Sequence, residues 1–179
     1  AQVNPHFFMN TLNNIHALID IDTDRAKDTV IELSKIMRYV LYDANRPLIS
    51  LEKEIHFLDN YIRLMRIRYT DNLDIRTSYP EEIPPINIPP LLLVTLIENA
   101  FKHGVGIRKE AFIHSSLVVE NGKLTYVVRN SLSHEKHEAS GVGLENLRKR
   151  LSLLFKDEYE LLISPSEEEY EVKLVMPVG

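Results

Sequence analysis

His6 lies in the run Asn4-Pro5-His6-Phe7-Phe8-Met9-Asn10-Thr11-Leu12-Asn13. An imidazole that titrates near neutral pH can serve as a nucleophile, a proton carrier or a metal ligand. Wound as a helix at roughly 100° per residue, Phe8, Leu12, Ile15 and Ile19 form one apolar stripe, expected to face inward. His6, Asn10, Asn13 and Ala17 then fall on the opposite side. An imidazole and an amide one turn later would thus be presented to solution on a rigid face. A solvated helix-end histidine gives the same pattern, and only the rest of the chain separates the two.

A second group of polar residues closes an otherwise apolar helix. Asn99 can offer its amide oxygen to a hard cation such as Mg2+. Lys102, one turn later, can neutralise a phosphate, and His103 follows it. The same Lys and His would also complement a helix C-terminus with no ligand present. Gly141-Val142-Gly143 opens a further helix with bare N–H groups and a positive dipole end, a place for an anion or a plain turn. Asn146 and Arg150, four apart, share that helix's outward face and could extend an anion site. His134 and His137 sit in a polar loop without a third ligand type beside them. His16, His56 and His114 show no companion residues, and nothing resembles a Ser-His-Asp arrangement.

These residues need elements to hold them. Asn4-Pro5 reads as an N-cap with proline at the first helical position, or equally as a kink in a longer helix. Asp22-Thr23-Asp24 makes a turn and a fresh cap. Val30, Leu33, Met37, Val40 and Ala44 then recur at helical spacing until Asn45-Arg46-Pro47. Ser50 caps a third helix whose Leu51, Ile55, Leu58, Ile62, Met65 and Tyr69 alternate steps of four and three, a heptad seam. Three helices with narrow seams bury their stripes better by self-association than alone. From residue 70 the texture changes. Residues 73–79 suggest a strand, residues 80–90 a proline-broken connector, and residues 91–103 a buried helix ended by Gly104 and Gly106. Residues 113–119 and 124–128 flank Asn121-Gly122, a hairpin signal. A helix follows Gly143 with Leu144, Leu147, Leu151 and Leu154 inward, then strands at 159–164 and 170–176. The acidic run Glu167-Glu168-Glu169 reads as a solvated turn. Strand, helix, two strands, helix, two strands predicts an α/β sandwich with a mixed sheet covered by helices on one face, and with the N-terminal helices an α+β class.

The 179 residues allow one large domain or two small ones, and 44% hydrophobic with 26% charged residues fits an ordinary soluble globular protein. A net charge of -5 argues against a nucleic-acid partner. The absence of cysteine excludes disulfides and thiolate metal sites. No apolar run approaches the ~18 residues of a membrane helix. The abrupt opening at Ala1-Gln2-Val3 suggests a piece of a longer protein, with any membrane segment outside it.

Asn-Pro-His-Phe followed by Asn-Thr-Leu-Asn, then Ile-Glu-Asn-Ala-Phe-Lys-His-Gly, then Gly-Val-Gly-Leu-Glu-Asn-Leu-Arg-Lys-Arg-Leu resembles the LytS-type sensor histidine kinases, from Gln2 to the final strand. By that resemblance, residues 1–70 form the helical dimerisation and histidine phosphotransfer region. Residues 71–179 form an ATP-binding domain of the kinase, gyrase, Hsp90 and MutL superfamily. The implied activity is ATP-dependent phosphorylation of His6, with transfer to the Asp of a response regulator receiver domain. The family's N-box falls on Glu98, Asn99, Lys102 and His103: Asn99 would hold Mg2+ and Lys102 would meet phosphates. Gly141 and Gly143 match the glycine box, and the lid would span residues 131–140. Glu98 would orient His6, and Asn10 stands where related kinases hold a water for dephosphorylating a partner. The resemblance implies a homodimer and the cytoplasmic part of a membrane-anchored bacterial protein.

Two places depart from the pattern. The superfamily's Asp-x-Gly is replaced by Arg129-Asn130-Ser131, where the Asn130 amide oxygen can accept a hydrogen bond and Arg129 cannot. The final glycine-threonine box is missing, with Glu168-Glu169-Tyr170 in its region. The lost Asp leaves a second reading open, a dimeric signalling module with a degenerate nucleotide site. A different ATPase of the superfamily would carry a glutamate base four residues before Asn99, where Thr95 stands.

Overall fold

The computed structural model describes residues 4–69, 73–104, 110–132 and 141–179. The chain divides into two units, one running through residue 70 and taking in Ile88–Leu91, the other holding the remainder.

In the first unit each helix begins at a side-chain cap. The Asn4 carboxamide oxygen accepts from the His6 backbone N–H at 3.0 Å, with Pro5 at the first position of α1 (Pro5–Ile19). Asp22 caps α2 (Thr23–Leu41), accepting from the Arg25 N–H at 3.1 Å. A single 3-10 turn, Asp43–Asn45, and the short strand β1 (Ile49–Ser50) lead to α3 (Leu51–Arg68), where Ser50 Oγ accepts from the Lys53 N–H. Each cap satisfies one of the N–H groups that a helix leaves orphaned at its start.

The α3 seam is buried as its spacing predicts, from Leu51 through Ile55, Leu58 and Ile62 to Met65. Phe57, Tyr61 and Leu64 are buried as well, so α3 is enclosed on most of its circumference. The other two helices correct the sequence reading. On α1 the buried residues are Phe7, Thr11 and Leu18, while Leu12 and Ile19 are each 52% exposed. The helix is turned because Phe7 lays its ring 5.1 Å from that of Tyr61. Such a pair gains contact energy beyond its buried area. The Thr11 hydroxyl donates to the Phe7 carbonyl at 2.7 Å, which makes its burial tolerable. On α2, Ala26, Leu33, Ile36 and Tyr39 face in, with Tyr39 stacked on Phe57 at 4.4 Å; Val30 and Met37 face out. Both helices therefore keep a second apolar row that the described residues leave exposed.

The second unit is built on a five-stranded sheet in the order β2-β4-β5-β7-β6. β2 (Leu73–Ser78) runs parallel to β4 (Ala111–Glu120), Leu73 facing Ala111. β4 turns back into β5 (Lys123–Ser131) through Asn121 and Gly122, whose φ values of 52° and 72° are both left-handed. That is the backbone a two-residue hairpin loop needs to match strand twist. β6 (Glu160–Pro165) and β7 (Glu169–Pro177) form a second hairpin, with β7 antiparallel to β5. A further two-residue strand, β3 (Asn87–Ile88), pairs with β1. The expected α+β class and mixed sheet are thus the ones found.

One sheet face is apolar, carrying Ile113, Leu117, Leu124, Tyr126, Val128, Val172, Leu174 and Met176, all buried. The helices α4 (Val94–Gly104) and α5 (Val142–Phe155) supply Leu96, Ile97, Phe101, Leu144, Leu147 and Leu151, all buried as well. Three details differ from expectation. α4 starts at Val94 rather than residue 91, because Leu91 adopts φ 63° outside any helix. Leu154 is exposed rather than inward, since α5 ends one residue later. Glu169 belongs to β7, and Arg129 Nη2 donates to both of its carboxylate oxygens at 2.9 and 3.0 Å, so only Glu167 and Glu168 occupy the turn.

Phe7→Ala should lower the unfolding free energy by about 3 kcal/mol. Leu12→Ala should change it by less than about 0.5 kcal/mol where the chain is monomeric. Urea unfolding of both variants at low protein concentration measures the contrast, and equal losses would contradict the observed rotation of α1.

Candidate functional site

α4 has two unlike faces because its sequence alternates at helical period. Leu96, Ile97, Ala100, Phe101 and Gly104 are buried. Thr95, Glu98, Asn99 and His103 are half-buried and Lys102 is exposed. Thr95, Asn99 and Lys102 follow at steps of four and three, so they share one open row. Packing of the apolar face fixes the direction in which that row points.

The start of α5 lies beside this row. A Cβ built on Gly143 would come 3.9 Å from the Thr95 methyl, an ordinary contact one turn before Asn99. Gly141 stands at the N-cap position with no side-chain hydrogen bond, and a Cβ there would meet nothing within 4 Å. The first-turn N–H groups of α5 therefore have no side-chain oxygen from their own cap, the arrangement that suits an anion. Asn146 is exposed and Arg150 half-buried on the same helix. Arg148 donates to the Leu161 carbonyl at 3.0 Å, tying α5 to the edge of the sheet.

The C-terminal end of α4 is stitched to the end of β5. Gly104 abuts Asn130 so closely that a Cβ there would lie 2.8 Å from the Asn130 Cβ. Ser131 Oγ donates to the Gly104 carbonyl at 3.1 Å and accepts from the Phe112 N–H at 3.0 Å. Asn130 is buried, and its amide nitrogen donates to the Ser131 carbonyl at 2.8 Å. The donor end of that amide is thereby engaged, leaving Oδ1 as its acceptor. The His103 ring lies 6.1 Å from Tyr170 of β7, the residue that faces Asn130 across the ladder. Burial pushes the Tyr170 hydroxyl above the ordinary tyrosine range, so it is protonated at neutral pH.

The predicted residues thus fall in two places. Glu98, Asn99, Lys102, His103, Asn130, Gly141, Gly143, Asn146 and Arg150 all belong to the α/β unit. His6 and Asn10 are exposed on α1 of the helical unit. Gly106, most of the predicted lid, and His134 and His137 lie outside the described residues. The sequence reading missed the roles of Gly104, Ser131 and Tyr170. Gly104 gave only a helix-stop signal, and its close approach to Asn130 joins positions whose spacing carries no periodicity.

The α4 row fits a metal–nucleotide. Mg2+ binds through one or two protein oxygens, with substrate phosphates and water completing the octahedron. Asn99 supplies one such amide. Its Nδ2 is buried with no hydrogen-bond partner among the described residues, so neighbouring acceptors do not hold that end in place. Gly104→Ala should cost about 1–3 kcal/mol through the clash with Asn130. Gly141→Ala, with open space around it, should cost less than about 1 kcal/mol. Thermal unfolding compares them, and a neutral Gly104→Ala would overturn the packing described.

Residues 1–73 match the Histidine kinase family. The chain is 34% identical to the sensor protein LytS of Staphylococcus saprophyticus, across 99% of its own length and 32% of the relative's. It is 33% identical to the sensor histidine kinase/phosphatase LytS of Staphylococcus aureus, across 87% of its length and 29% of the relative's. The chain therefore spans about a third of the length of these curated relatives. The crystal structure of histidine kinase ThkA in complex with response regulator protein TrrA is similar in fold, with TM-score 0.51 and 14% identity, covering 96% of this chain and 59% of that one. With one residue in three shared almost from end to end, and a Histidine kinase family match over the helices that bear His6, the chain is similar to the LytS-type sensor histidine kinases.

Proposed function

We propose that the chain is the ATP-dependent autokinase core of a sensor kinase, with His6 as the acceptor and a receiver-domain aspartate as the next carrier. The observation that carries this reading is the open α4 row, Asn99 and Lys102, beside the start of α5, where Gly141 and Gly143 carry no side chain. It supplies an oxygen, a cation and backbone donors together, the set a triphosphate needs. Asn146 and Arg150 extend it along α5. Asn130 Oδ1 takes the adenine amino group in place of the usual carboxylate, with His103 alongside.

In the transfer a neutral His6 ring nitrogen donates its lone pair to the γ-phosphorus. The bond to the β–γ bridging oxygen breaks, and ADP leaves with that electron pair. The second ring nitrogen then sheds its proton, and Glu98 is the group assigned to orient the ring or receive it. Mg2+ held by Asn99 would neutralise charge on the phosphates. The protein supplies mainly positioning and charge compensation, because the transition state asks for little covalent help. The reaction requires the α1 face to reach the nucleotide, within one chain or across a pair.

Two further assignments go with this reading. Asn10, exposed one turn after His6, holds the water that dephosphorylates a receiver; the Staphylococcus aureus relative is named a kinase/phosphatase. The uncovered apolar rows on α1 and α2 are the surface of a homodimer. Among the described residues no helix is long and apolar enough to cross a membrane. Replacement of the adenine-binding carboxylate by Asn130 favours one competing reading, a dimeric module that binds nucleotide weakly.

ATP labelled in the γ-phosphate should mark the chain on a base-stable, acid-labile group. His6→Gln should abolish the label, and label surviving that change would remove His6 from the mechanism. Asn99→Ala should weaken Mg-ATP binding by roughly tenfold or more, the worth of one charge-assisted contact. A thermal shift with Mg-ATP measures it, and no shift in the unmodified chain would favour the weak-binding module.

A further inference from the structure

Glu54 is a carboxylate sealed inside the helical unit, 0% exposed. Burying such a group is costly unless its oxygens are well engaged. One oxygen, Oε1, accepts two hydrogen bonds at 2.8 Å, from the Tyr39 hydroxyl of α2 and from the backbone N–H of Leu91. The second of these spans 37 residues of sequence. It reaches a segment that the helical unit claims as its own, Ile88–Leu91. Ile88 is buried and its strand pairs with β1 at the root of α3.

Leu91 is buried and holds φ 63°. A left-handed backbone costs a non-glycine residue about 1–2 kcal/mol and persists where its surroundings impose it. Pro89 and Pro90 precede it and limit the backbone further. The chain passes from Leu91 to Leu92, and α4 with its open row begins at Val94. The buried acceptor thus grips the last residue of one unit, three positions before the helix that bears Asn99.

We propose that Glu54 is a positioning residue for phosphotransfer: by holding the Leu91 amide together with the Tyr39 hydroxyl, it fixes the end of the Ile88–Leu91 segment on the α2–α3 pair, three residues before α4 begins. A shift of α2 against α3 separates Tyr39 from Glu54 and loosens Leu91, and with it the backbone that leads into α4. Burial, reinforced by the charge of Glu54, pushes the Tyr39 hydroxyl above the ordinary tyrosine range, so it remains a donor at neutral pH.

The kinetic half of this inference rests on the kinase reading above. In the full chain, Glu54→Met keeps the volume and removes the acceptor, while Glu54→Gln keeps a carbonyl oxygen in place. Tyr39→Phe removes one donor and serves if Glu54→Met fails to fold. Autophosphorylation kcat should fall about tenfold or more in Glu54→Met and several-fold in Tyr39→Phe, with KM for Mg-ATP within about twofold and partial recovery in Glu54→Gln. Amide exchange at Leu91 should accelerate by more than exchange at Val128 in the sheet. A kcat kept within about twofold, or a fall in kcat matched by a rise in KM, would overturn the proposal. If the unmodified chain takes up no label, the kinase reading fails and exchange decides alone, with equal acceleration at Leu91 and Val128 overturning it.

Discussion

The structure turns on the burial of one face of an eleven-residue helix, α4. Leu96, Ile97, Ala100, Phe101 and Gly104 are buried on the side that meets the apolar face of the sheet. Everything polar on the helix is aimed by this packing. The absence of a side chain at Gly104 lets the helix end approach Asn130, and the Ser131 hydroxyl bridges the same helix end to β4. The polar row needs no hydrogen-bond scaffold of its own, which is why the Asn99 amide can leave Nδ2 unpartnered among the described residues.

The helical unit solves a different problem. α3 spends nearly its whole circumference on burial, whereas α1 and α2 each present an apolar row inward and another outward. His6 escapes both rows because it sits in the first turn, beside the Asn4 cap. Rotation of α1 onto Tyr61 therefore moved the apolar stripes without changing the exposure of the imidazole.

Element order, caps and hairpin were legible in the sequence because each depends on neighbours in the chain. Asn4, Asp22 and Ser50 act within three residues, and Asn121-Gly122 dictates its own turn. The choice between two apolar rows on α1 was not legible. Phe8, Leu12, Ile15 and Ile19 have the better periodicity, yet Phe7 wins through an aromatic partner 54 positions away in the chain. The same blindness hid Gly104 against Asn130, Arg129 with Glu169, and Glu54 with Leu91. The residue types of the α4 row and of the α5 start were readable from motifs; what holds them was readable only in three dimensions.

The sheet order has a further consequence for how the chain acquires its shape. The β4–β5 and β6–β7 ladders join neighbours in sequence, but β2 must find β4 across the whole of α4, and β5 must find β7 across α5. Loop-closure entropy delays such distant pairings relative to capped helices and tight hairpins. A nascent chain would accordingly wind α1 early and complete the α/β unit late. During synthesis, the His6 imidazole would stand exposed on a finished helix before the sheet of the second unit has closed.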